Sequence, residues 1–174
     1  MSHVVFQQYW KYLLFLGFVE ELPGTPEDPG SGSGAGPLDE LALNLVKTFA
    51  ATWRGAWIPG MYLFPDETMV FWSGAGELHM TYLPRKPTPY GIMMKTLCDG
   101  DSKIMLAAEV PESKEVMAKK EYRSITGASC ATSLRLTKYW AGSGRTVVAD
   151  SWFGSCNTAE HLMDVHGLHS FLCV

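Results

Sequence analysis

The chain has 174 residues, 47% apolar and 18% charged, the balance of one folded domain rather than of a disordered segment. A formal charge of −4 and a pI near 5.7 exclude the broad basic face by which a self-sufficient nucleic-acid binder neutralises phosphates; DNA as the substrate of a catalytic core stays open. Six Trp and nine Met are more apolar surface than a lone monomer readily covers, so further chain or a partner is expected.

Residues 3–22 predict a short helical appendage, with Val5, Tyr9, Tyr12, Leu13 and Leu16 at three- and four-residue intervals. The apolar stretch from Tyr12 to Val19 follows no basic leader and is far below membrane-spanning length, so a soluble intracellular protein without membrane contact is expected. Residues 23–37 carry Pro-Gly, Glu-Asp-Pro-Gly and Gly-Ser-Gly-Ser-Gly, a linker composition with nothing to bury. The main domain is expected over residues 38–174.

Pro37 to Trp57 is the clearest helix. Leu38, Leu41, Ala42, Leu45, Val46, Phe49, Ala50, Trp53 and Trp57 form one apolar face, read as core packing, and Ile58-Pro59-Gly60 stops it. Met61 to Trp72, Tyr90 to Cys98 and Ile104 to Val110 then read as strands, the last two joined into a hairpin by Asp99-Gly100-Asp101-Ser102. Residues 112–121 are charged and read as a solvated helix or loop, and Ser129 to Trp140 as an amphipathic helix. Arg145 to Asp150 is a short strand ending in an acid. Asn157 to Glu160 has the spacing of a capping box, opening a helix that Gly167 closes, and Leu168 to Val174 is a last strand. Strands alternating with helices in the second half imply parallel neighbours, hence an α/β domain with a mixed sheet of five strands and flanking helices.

Cys98, Cys130, Cys156 and Cys173 are unevenly spaced without a C-x-x-C pair, which predicts buried reduced thiols rather than a zinc site or disulfides. His161 and His166 lie about 140° apart around a helix and His169 follows Gly167, so no shared metal face is expected from the three. Glu160 and Asp164 read as a helix-face pair, and Gly74 to Gly76 is too short for a phosphate-binding loop.

Two acids stand out. Asp66 interrupts an apolar run and Asp150 ends one, positions where a carboxylate is costly unless it is hydrogen-bonded or holds a cation. At neighbouring strand ends they can share a divalent metal, or else cap the next helix or loop. The words around them add to this. Pro65-Asp66-Glu67-Thr68-Met69, the Pro- and Lys-containing segment Leu83 to Gly91, Cys98-Asp99 at a strand end, and Val148-Ala149-Asp150-Ser151-Trp152-Phe153-Gly154-Ser155 follow one another in order. Together they resemble the catalytic-domain motifs of piggyBac-type transposases.

That resemblance implies an RNase H-like fold, truncated here after the fifth strand and preceded by the N-terminal helical segment. It implies cut-and-paste DNA transposition at TTAA targets in the nucleus, with two Mg²⁺ ions (Mn²⁺ as a substitute) held by three acids. Asp66 and Asp150 match the first two catalytic and metal-binding positions, and no acid of this sequence matches the third. The chain alone is therefore expected to be inactive. Arg85 and Lys86, preorganised between prolines, are candidate DNA-phosphate contacts, with a solvated loop as the equal alternative; Lys95 is assigned no role. DNA and a transposase-like dimer or other protein partner are the implied partners. The rival reading is a non-catalytic, domesticated module that binds DNA, chromatin or protein.

Overall fold

The computed structural model describes residues 37–71, 80–87 and 89–173; the expected appendage 3–22, the linker up to residue 36 and the glycines at 74 and 76 lie outside them. Pro37 opens helix α1 (Pro37–Ala56), since a residue without an N–H loses nothing in a first turn. Among its described side chains Ala50 is buried, but Leu45 and Val46 are half-buried and Phe49 is 40% exposed. The stripe expected to be core is thus only partly covered, because α1 meets the sheet mainly along the short strand β4.

Strand β1 (Tyr62–Phe71) begins with a strict alternation of buried and exposed residues, with Leu63 and Pro65 inward and Tyr62, Phe64 and Asp66 outward. It pairs antiparallel with β3 (Tyr90–Asp99), from Leu63 opposite Asp99 to Phe71 opposite Gly91. The chain closes here so tightly that a Cβ on Gly91 would lie 2.2 Å from the carbonyl oxygen of Val70. The turn at Asp99 to Ser102 delivers β4 (Met105–Glu109) antiparallel to β3, as its residues predict. One strand is additional to the five expected: β2 (Met80–Tyr82) pairs with the first residues of β3. Strands β2 and β4 share the outer edge of β3 end to end, β2 against Tyr90–Ile92 and β4 against Lys95–Cys98.

Beyond β4 come α2 (Lys114–Lys119), α3 (Ala128–Thr137), β5 (Thr146–Ala149), α4 (Cys156–His166) and β6 (His169–Leu172). Strand β5 lies parallel to both β1 and β6, giving the order β2-β3-β1-β5-β6 with β4 on β3. One face carries the core, where Leu63, Leu97, Leu106, Leu136, Trp140 and Phe153 pack together beside a cluster of Cys130, Leu134, Val147, Leu162 and Leu168. Helix α4 starts two residues before the expected capping box. Ser155 is the cap, its Oγ accepting from the Thr158 amide at 3.0 Å, whereas Asn157 is already helical. Gly167, at φ 61°, closes the helix as its position predicts.

Candidate functional site

Parallel pairing of β1 with β5 sets Tyr62 against Thr146 and Leu63 against Val147, a constant offset of 84 residues. Continued three positions, the same offset brings Asp66 level with Asp150, the residue that follows β5. Three is an odd number of steps from the buried pair Leu63 and Val147, so both acids belong to the sheet face opposite the core. The two sequence-predicted acids are therefore brought together by register.

Their environment differs from the one expected. Both side chains are exposed, so no desolvation cost demands a cation. Each is instead oriented by its own turn. Asp66 Oδ1 accepts from the Glu67 amide at 2.7 Å, and Asp150 Oδ1 accepts from the amides of Trp152 at 3.0 Å and Phe153 at 3.5 Å. One oxygen of each carboxylate is thus engaged by backbone, and among the described residues the other accepts no hydrogen bond. Cys98, on the same face, has its thiol pushed up by burial and then by the charge of Asp66. Thr96 Oγ1 sits 3.0 Å from Thr68 Oγ1 and 3.3 Å from the Asp66 carbonyl oxygen, tying β3 to β1 beside the acid.

On the core face of the same strands, Glu67 is paired with Lys95, whose Nζ also lies 3.4 Å from the centroid of the Trp152 ring. Lys95 thus points away from the acids, into a pair that braces the turn after Asp150. That turn leaves no room at Gly154, where a Cβ would stand 2.1 Å from the carbonyl oxygen of Cys173. Arg85 and Lys86 lie on a loop closed by the Leu83 amide donating to the Pro89 carbonyl at 2.7 Å. They line a cavity of ≈ 400 Å³ with Glu67, Leu83, Met93 and Trp152. The signal for this wall was present as an aromatic pair in the second motif, but the cavity joins residues from three separate segments.

The histidines behave as expected. His166 is buried between Thr137 and Tyr122, sharing hydrogen bonds of 3.1 and 3.3 Å with their hydroxyls, while His161 reaches only the carbonyl of Asn157. His169 is exposed. The cysteines are free, but only Cys130 is buried; Cys98 is half-buried and Cys156 and Cys173 are exposed, since the ends of α4 and β6 stand at the surface. Among the described residues no three His, Cys, Asp or Glu side chains are grouped to hold a metal ion, and no helix is long and apolar enough to cross a membrane.

The family model described as transposase IS4 matches residues 27–170. A solved piggyBac transposase, in a synaptic complex with hairpin DNA, has a similar fold, with a TM-score of 0.57 and 23% identity. The likeness covers 76% of this chain and 29% of that one. A search of curated proteins finds no match.

Proposed function

We propose, for a chain that belongs to the transposase IS4 family, that Asp66 and Asp150 are two carboxylates of a metal-dependent site acting on DNA phosphodiesters. The β1–β5 register, which brings the two acids level on one sheet face, supports this reading most. The donor set suits a hard divalent cation, Mg²⁺ or Mn²⁺, because two exposed carboxylates each keep one oxygen without a protein partner among the described residues. Such a cation supplies Lewis acidity and activates water in phosphodiester chemistry. The chain's own part is positional. The turn amides hold both carboxylates in fixed rotamers, and the exposed side chain of Arg85 with the half-buried Lys86 offers positive charge to a DNA phosphate.

With two acids and no third partner beside them among the described residues, the 174-residue chain alone binds metal weakly and does not cut DNA. Function in the nucleus and at TTAA targets belongs to the same reading and rests on the motif resemblance. Paramagnetic Mn²⁺ followed by NMR tests it. Amide signals of Glu67, Ser151 and Trp152 are expected to broaden together, and to stay sharp in Asp150→Asn; uniform or absent broadening would remove the shared site. A second reading, a non-catalytic interaction module, is favoured by the exposed Tyr62, Phe64 and Phe171 on strands β1 and β6. It takes precedence if Mn²⁺ leaves all three amides untouched.

A further inference from the structure

The cavity beside the acids combines three chemistries that a single small anion does not need. Trp152 is 40% exposed although its neighbour Phe153 is fully buried. Its indole does not swing freely: Lys95 holds it through the cation contact, and Phe153 meets it edge-on at 4.6 Å and 76°. Across the cavity stand Arg85 and Lys86, and Glu67 lines it with a carboxylate already neutralised by Lys95. A fixed aromatic surface, a positive side and a small carboxylate in ≈ 400 Å³ match an ionic, aromatic guest rather than an apolar one.

We propose that this cavity takes an unpaired nucleobase at a DNA end. The base stacks on Trp152, and the phosphate that carries it meets Arg85 and Lys86. Glu67 gives the cavity a polarity, since its charge repels phosphate and its oxygen accepts from an exocyclic amino group. The Trp152 amide donates to Asp150, so the stacked base lies next to the candidate acid and fixes which backbone position faces it. A base inside an intact duplex has both faces occupied by its neighbours and gains nothing here, whereas an unpaired one does. The inference rests on the DNA reading above and adds the structural form of DNA preferred.

The test compares the whole chain on a blunt DNA duplex and on the same duplex with a short single-stranded extension, carrying 2-aminopurine at its first unpaired position. Roughly tenfold tighter binding of the extended duplex is expected, the size of one base–aromatic stack, together with quenched 2-aminopurine emission. Trp152→Ala is expected to abolish both effects and Trp152→Phe to keep them in part. Equal affinity for the two duplexes in the unaltered chain overturns the proposal, as does a preference that survives Trp152→Ala. If both duplexes bind equally and Arg85→Ala with Lys86→Ala weakens both, the DNA reading stands and the nucleobase site falls. If neither duplex binds, both fall. Quenching in the unaltered chain, measured against a probe placed at a paired position, decides the matter even where Trp152→Ala does not fold.

Discussion

Asp99 is the acid this fold most depends on, and its work is architectural. Only 1% exposed, it accepts from the amides of Gly60 at 2.9 Å and Ser102 at 3.0 Å, from the Ser102 hydroxyl, and from Trp57 Nε1 at 3.4 Å. Burial raises its pKa, but the Ser102 hydroxyl and the amides of Ser102, Gly60 and Asp101 outweigh burial and hold it well below the usual carboxylate range. In sequence it read as one letter of a turn, because two of its partners lie 42 and 39 residues away. Asp99→Ala leaves those donors unpaired and is expected to cost about 3 kcal/mol, read from the urea midpoint. Its contribution to stability is present above the unfolded value near 3.8 and disappears as pH falls towards the folded one. His166 acts in a higher pH window. Burial, then the charge of Lys138, lowers its pKa against the opposing pull of Glu121, so the unfolded chain takes up the proton first. Stability is therefore complete above the unfolded value of 6.5 and declines as pH falls below it. A thermal midpoint that drops between neutral and mildly acidic pH, with a shallower drop in His166→Gln, is the expected result.

Elements were legible where their pattern is local. The hairpin at Asp99 to Ser102, the stop after α1 and the Gly167 cap follow from residues adjacent in sequence, and each appears where it was read. Strand β2 escaped because three residues carry no measurable period and depend on β3 for their pairing. The cap of α4 was misplaced by two residues, since Asn157 has capping chemistry but Ser155 has the extended backbone a cap requires. Gly154 shows the same limit. The motif shows a glycine, yet only the passage of Cys173 against it explains why no side chain fits. Gly154→Ala is expected to displace the end of β6 and destabilise the domain by about 1–3 kcal/mol, seen as a lower melting temperature and as shifts in the Cys173 and Ala149 amide signals.

At the scale of the whole molecule, the pairing of Asp66 with Asp150 is a property of the sheet. Each acid was picked out by its own neighbours in sequence, but that they share a face and a level follows from the offset of 84 residues between parallel strands. The divided outer edge of β3 has a further consequence. Its inner edge is paired with β1 over most of its length, while the outer partners leave Met93 and Met94 between them without a ladder partner on that side. A seam of this kind lets one strand belong to two cooperative units. In hydrogen–deuterium exchange, the amides of Gly91 and Ile92 are expected to exchange with the local opening of β2, and those of Thr96 and Leu97 only on global unfolding. Met93 lines the nucleobase cavity and sits at that break, so the wall that would meet a DNA end is also the place where the slow half of the strand gives way to the fast half.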